Sequence, residues 1–176
     1  MAQENKLPEV WMRGPIDKIP SLLQPVAHTL LQAAEEIEGI MSGFPDDLLW
    51  RKPYGMASVA FHLRHIPGVI DRLFTYSREQ QLSPEQLKYL SEEGLETKQT
   101  RADDLVKNAT RSIRDAVSYL ANVDPSTLHQ FRGVGRKRLP STVMGLLFHA
   151  AEHTMRHTGQ LLVTARVVKE EKEYLK

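Results

Sequence analysis

The sequence predicts an all-α protein built as a four-helix bundle. Four long segments carry apolar residues at intervals of three and four, which is the period of an amphipathic helix. Proline, glycine and capping residues separate these segments, and no segment alternates apolar and polar residues over the length of a strand. A chain of 176 residues has the size of one domain. We therefore expect residues 1–176 to form a single domain, with 1–21 as an N-terminal arm and 169–176 as a charged tail.

The first half of the chain contains the arm and two of the long helices. Early prolines and glycines in residues 1–21 predict the extended arm. Ser21 is suited to cap a first helix that ends near Ser42. The apolar stripe of this helix comprises Val26, Leu30, Ala33, Ala34, Ile37 and Met41. A second helix is predicted over 57–77, with an apolar stripe of Val59, Leu63, Ile66, Ile70, Leu73 and Phe74.

The second half contains a long crossover and the other two long helices. A short helix over 83–92 lies within the crossover, a connection that bundles use when consecutive long helices are not simple antiparallel neighbours. The third long helix is predicted over 103–121. Residues 129–138 are basic and contain two glycines, which indicates a loop or a small hairpin. The last helix, capped by Ser141, is expected to end near Val168.

Composition excludes several classes of protein and site. The chain has no cysteine, which rules out disulfides, thiolate metal sites and cysteine nucleophiles. With a net charge of +1, the chain lacks the excess of basic residues expected of a nucleic-acid-binding protein. No apolar run reaches 18 residues, and the N-terminus has no apolar signal core. We therefore expect a cytoplasmic protein with no nucleic-acid or membrane partner.

Histidines in the second and last helices are the candidate metal ligands. The last helix carries His149, His153 and His157 at four-residue steps, and its apolar stripe passes through His153 and His157 while His149 lies on the flank. Imidazoles on a core face need partners, and one ion can satisfy both. Facing helices of a bundle commonly supply such ligands. The second helix offers His62 or His65, and spacing leaves both open, with His62 nearer the centre of the stripe.

A second interpretation of the last helix is a metalloprotease site. Residues 149–153 match the inverzincin pattern H-x-x-E-H, in which His149 and His153 would bind zinc and Glu152 would be the general base. Only 23 residues follow His153, which leaves little room for a further acidic ligand. Glu152 also precedes Arg156 by four residues, the spacing of an ordinary helical ion pair. This alternative is therefore the remote one.

Two histidine-bearing stretches of the chain are 58–66, SVAFHLRHI, and 149–161, HAAEHTMRHTGQL. Together they resemble the DinB-like superfamily, which includes DinB and YfiT proteins and thiol-dependent S-transferases. The second is similar to the late H-x-x-x-H-R-G-Q signature of that family, with Thr158 in the place of the arginine. The resemblance extends over about 22–168 and implies an up-down-down-up bundle with a long crossover between helices 2 and 3.

The resemblance also implies a set of ligands. One histidine from the second helix and two from the last would hold a divalent ion, and these would be His65, His153 and His157. His149 and His62 would then lie beside the ion or be weaker candidates for ligands. We expect zinc or nickel, with iron as a further candidate, because imidazoles bind all three.

The function expected from this resemblance is that of a metal-dependent enzyme acting on a small molecule. Thiol S-transfer, with a low-molecular-weight thiol as co-substrate, is slightly favoured over hydrolysis because no general base is evident near the histidines. Relatives suggest a homodimer. The alternative is a non-catalytic bundle that binds a metal or ligand and serves as a sensor or stress-related interaction protein. If the co-substrate is a low-molecular-weight thiol with acidic groups, the basic loop residues Arg136, Lys137 and Arg138 could bind those groups.

Overall fold

The computed structural model describes residues 7–97 and 99–174, and the regular secondary structure in these residues is helical apart from one small hairpin. The helices are α1 (Gln24–Met41), α2 (Val59–Ser77), α3 (Pro84–Glu92), α4 (Ala102–Leu120) and α5 (Val143–Tyr174). The strands are β1 (Phe131–Val134) and β2 (Leu139–Thr142). The predicted all-α fold with four long helices is confirmed.

The four long helices form the bundle. Helix α1 packs against α4 and α5, and α2 packs against the same two helices, so α1 lies diagonally across from α2. The predicted stripes form the core between them, and each long helix contributes fully buried side chains such as Leu30, Leu63, Ile113 and Leu147. Burial of each such side chain contributes about 1.5–3 kcal/mol of hydrophobic stabilisation.

The crossover between α2 and α4 contains the predicted short helix. Ser83 and Gln86 form a capping box at the start of α3: the Gln86 backbone N–H donates to the Ser83 hydroxyl, and the Gln86 side chain accepts from the Ser83 backbone N–H. Helix α3 packs on α2. The crossover is therefore a structured layer on one side of the bundle.

The start of α5 differs from the expectation. Ser141, predicted as its cap, lies in β2 and pairs with Arg132 of β1. The Thr142 hydroxyl caps the helix instead, accepting the Gly145 backbone N–H at 3.0 Å. The displacement by one residue has a simple cause: Thr142 pairs with Phe131 and is therefore extended, so it cannot be the first helical residue after a cap at Ser141.

The two ends of the described chain both pack against the bundle. The Val10 backbone N–H donates to the side-chain oxygen of Gln32 at 2.9 Å, which places the arm along α1. Helix α5 continues to Tyr174 instead of ending near Val168.

None of the described helices is both long enough and apolar enough to cross a membrane.

Candidate metal centre

The candidate site lies between α2 and α5, which are antiparallel neighbours. His62 contacts His157 and His65 contacts His153, so increasing residue number on one helix matches decreasing number on the other. The four-residue step between His153 and His157 places both imidazoles on the side of α5 that faces α2. Antiparallel packing of two histidine-bearing helices thus concentrates four imidazoles in the bundle.

Three of these histidines converge. His65, His153 and His157 each offer one ring nitrogen, and the three nitrogens lie within 4.8 Å of one another. The Nε2 atoms of His65 and His153 are 3.1 Å apart. Two nitrogens that are each about 2.1 Å from one ion, at 90–110° to each other, lie about 3.0–3.4 Å apart. The spacing of this pair therefore fits a shared metal ion.

The other histidine of α2 has a different position. His62 is 3% exposed, and its Nδ1 lies 3.0 Å from Nδ1 of His157. The three-histidine group contains His65 instead of His62. His62, which lies nearer the centre of the apolar stripe, is thus a buried neighbour of the three-histidine group. His65, which the family resemblance indicates, is a member of the group.

His149 lies on the exposed flank, as its place outside the stripe predicts. Its Nδ1 is 2.7 Å from Oε1 of Glu152, and the Arg156 guanidinium donates to both oxygens of that carboxylate at 2.9 and 2.7 Å. His149, Glu152 and His153 form a second group whose donor atoms approach within 4.8 Å. Both oxygens of the Glu152 carboxylate are bound by Arg156, which counts against a role for Glu152 as the general base of an H-x-x-E-H site.

Burial and mutual repulsion lower the pKa values of three of the clustered imidazoles, those of His62, His153 and His157. Burial lowers the pKa of His62 to about 4, with a smaller contribution from the charge of His65. Burial, followed by the charges of His65, His153, His62 and Arg156, lowers the pKa of His157 to about 3. The pKa of His153 is lowered as well, again chiefly by burial. The neutral imidazole is the form that binds metals, so these shifts favour ligation near neutral pH.

Sequence reasoning missed a buried carboxylate beside the site. Glu93, at the end of α3, is 2% exposed, and its Oε2 lies 2.6 Å from Nδ1 of His65. Its other oxygen accepts a hydrogen bond from Nη1 of Arg72 at 2.6 Å. Arg72 follows His65 by seven residues and therefore shares its face of α2, which is the one signal the sequence offered. Nothing local distinguishes Glu93 from Glu92 before it.

One cluster atom lacks a partner. Nδ1 of His153 is buried and forms no hydrogen bond to any residue within 7–97 and 99–174. Leaving a buried donor or acceptor unpaired costs about 1–3 kcal/mol. The site is therefore not explained by packing alone, since three apolar side chains at these positions would avoid the cost.

Most of the chain matches a known protein family. Residues 28–161 match a family model described as the DinB superfamily. The matched span runs from α1 to α5 and includes His65, His153 and His157. A comparison with curated proteins found no match.

Proposed function

The chain belongs to the DinB superfamily, and we propose that it is a metal-dependent enzyme whose ion is held by His65, His153 and His157. The observation that carries the proposal is the convergence of one nitrogen from each of these residues within 4.8 Å. All three side chains are partly buried between α2 and α5. Rigid helices therefore supply the whole donor set, as expected for a preorganised site.

The donor set suits a catalytic ion. Three protein ligands leave at least one coordination position open, which distinguishes catalytic from closed structural sites. Imidazoles favour zinc or nickel, and iron also fits. When bound, such an ion acts as a Lewis acid that lowers the pKa of water or a thiol or polarises a carbonyl.

The carboxylates around the cluster favour thiol transfer over hydrolysis. Hydrolysis at a metal centre commonly uses a nearby carboxylate as general base. Glu93 is engaged by His65 and Arg72, and Glu152 is engaged by Arg156 and His149. A thiol is more acidic than water and reacts as the thiolate, so it depends less on such a base. We therefore favour S-transfer between a low-molecular-weight thiol and a small-molecule substrate.

The basic loop gives this reaction no added support. Arg132, in the hairpin that carries the loop, donates a hydrogen bond to the Ser77 backbone carbonyl at the end of α2. Ser77 follows His65 by twelve residues, which is about 18 Å along a helix. This anchor of the hairpin lies about three turns of α2 away from His65, so the proposal does not rely on the basic loop.

Metal analysis of protein purified without a histidine tag tests the site. We expect about one equivalent of divalent metal after zinc or nickel is added back and excess is removed. His153→Ala and His157→Ala should lose the metal, whereas the matched control His149→Ala, on the same helix, should retain it. Less than about a tenth of an equivalent in the unsubstituted protein would refute the proposal. Loss in His149→Ala with retention in His157→Ala would instead support the H-x-x-E-H site.

An activity screen tests the reaction class. Electrophilic small molecules are incubated with low-molecular-weight thiols, with and without a chelator, and thiol consumption is measured. We expect consumption that the chelator abolishes and that His153→Ala lacks. Chelator-sensitive hydrolysis without thiol dependence would assign the site to hydrolysis. Metal binding with neither activity would favour the non-catalytic metal-binding bundle.

A further inference from the structure

The carboxylate of Glu93 connects the crossover to the candidate metal centre. Glu93 lies at the carboxyl end of α3, outside the four long helices, yet it is 2% exposed. Its two oxygens have separate partners, Nδ1 of His65 and Nη1 of Arg72, each at 2.6 Å. The carboxylate thus lies between the proposed ligand and a cation, and both of its oxygens are used.

This arrangement specifies which nitrogen of His65 carries a proton. An ionised carboxylate only accepts hydrogen bonds, so Nδ1 of His65 must donate to it. In the neutral ring, Nε2 then keeps its lone pair, and this nitrogen lies 3.1 Å from Nε2 of His153. We propose that Glu93 is a positioning residue that fixes the His65 ring with Nδ1 protonated and presents Nε2 to the metal. This inference rests on the proposed function for the role of Nε2, but the tautomer itself can be measured without metal.

Gly68 makes room for the carboxylate. A Cβ atom at this position of α2 would overlap Oε1 of Glu93 and would lie 2.8 Å from Nη1 of Arg72 and 2.9 Å from Cε1 of Tyr89. All three contacts are shorter than van der Waals packing allows. Any side chain at position 68 must therefore push the carboxylate away from its partners.

The crossover is held on α2 by further hydrogen bonds. The Tyr89 hydroxyl donates to the Arg64 backbone carbonyl at 2.9 Å. The Gln86 side-chain amide donates to Oδ2 of Asp71 and to the Thr75 hydroxyl, both at 2.8 Å. These contacts lie along one side of α2, so α3 is fixed in register with His65. The position of Glu93 is therefore set by an element that is independent of α5.

The variants that test Glu93 must take account of its buried ion pair with Arg72. Removing one partner of a buried ion pair leaves an uncompensated charge, whereas replacing both with apolar residues is often tolerated. Glu93→Gln preserves shape but leaves the Arg72 charge without its counterion. A double variant, Glu93→Met with Arg72→Met, removes both charges together and provides the acceptor-free comparison if the single variant does not fold.

Nitrogen NMR of metal-free protein at about pH 8 is the first test. Long-range correlations from the ring protons of His65 report which nitrogen is protonated. We expect a protonated Nδ1 in the unsubstituted protein and in Glu92→Gln, the matched control one residue away. The Nδ1 preference should weaken in Glu93→Gln and disappear in the double variant. An unprotonated Nδ1 in the unsubstituted protein, or an unchanged tautomer in the double variant, would overturn the proposal.

Metal affinity is the second test. Carboxylates that orient a ligating histidine typically contribute 10–100-fold to affinity. Zinc affinity measured by chelator competition should fall by about that factor in Glu93→Gln and in Gly68→Ala, and stay unchanged in Glu92→Gln. Gly39→Ala is the control for the glycine substitution, because Gly39 is also helical and a Cβ there meets nothing within 4 Å. Unchanged affinity in both Glu93→Gln and the double variant would overturn the role of Glu93.

The two tests separate failure of this inference from failure of the proposed function. An unsubstituted protein that binds no metal, yet shows the Nδ1 tautomer and its loss in the double variant, would refute the metal centre and leave the positioning contact intact. A protein that binds metal at His65, His153 and His157 with affinity independent of Glu93 would support the centre and refute the positioning role.

Discussion

The buried histidines predict that the metal-free protein loses stability as the pH falls below about 6.5. Burial holds the pKa of His62 at about 4 in the folded state, against an ordinary value of 6.5 when the chain is unfolded. Between these values the unfolded state binds a proton that the folded state does not. Unfolding therefore takes up protons in this window, and lowering the pH favours the unfolded state.

The size of the effect follows from the same residue. One proton taken up on unfolding changes the free energy of unfolding by about 1.4 kcal/mol per pH unit. His62 is 3% exposed, so solvent screens its environment little. His157 and His153, whose pKa values are also lowered by burial, act in the same direction. Stability should be constant above about pH 7 and decline by at least about 1 kcal/mol per pH unit near pH 5.

Urea unfolding of the protein in the presence of a chelator, at several values between about pH 5 and pH 8, measures this slope. His62→Gln should decrease the slope by about one proton, whatever its effect on stability at neutral pH. His129→Gln is the matched control, because His129 is exposed and lies outside the cluster. Equal slopes in His62→Gln and the unsubstituted protein, or stability that does not fall between pH 7 and pH 5, would refute the assignment of neutral buried imidazoles.

Four other substitutions have defined outcomes. Leu147→Ala should lower the free energy of unfolding by about 2–5 kcal/mol in urea unfolding, because Leu147 is fully buried in the core. Thr142→Ala should cost about 1 kcal/mol by removing the cap of α5, whereas Ser141→Ala should cost less in the same assay. Glu152→Gln should retain the metal in elemental analysis, because its carboxylate is engaged by Arg156; loss of metal would contradict this assignment.

Sequence periodicity was sufficient to predict the long helices and to predict which histidines of α5 face inward. Both depend on a period of 3.6 residues, which is a local property that the sequence displays directly. Periodicity did not decide between His62 and His65, because their side chains lie on overlapping parts of one helix face. Packing against α5 decides which ring reaches His153, and only the family resemblance contained that information beforehand.

The start of α5 shows a second limit of local reasoning. Ser141 and Thr142 are both good capping residues, and sequence preference alone does not separate them. Pairing between β1 and β2 extends the strand through Thr142, so the helix begins one residue later than predicted. A tertiary contact of only four residue pairs was enough to override the local signal.

Glu93 could not be found from local pattern, and the reason concerns the topology of the bundle. Its partner His65 lies 28 residues earlier, on a different helix. The C-terminal ends of α2 and α4 lie together, where Phe74 and Arg78 contact Tyr119, so these two neighbouring helices run parallel. The chain that joins them must therefore run back along the outside of the bundle before α4 begins. That path carries α3 past the open side of α2 at the level of Gly68, where a missing side chain leaves room for a carboxylate. The connection required by the fold thus also delivers the hydrogen-bond acceptor for His65, and a shorter crossover would leave Nδ1 of that histidine without one.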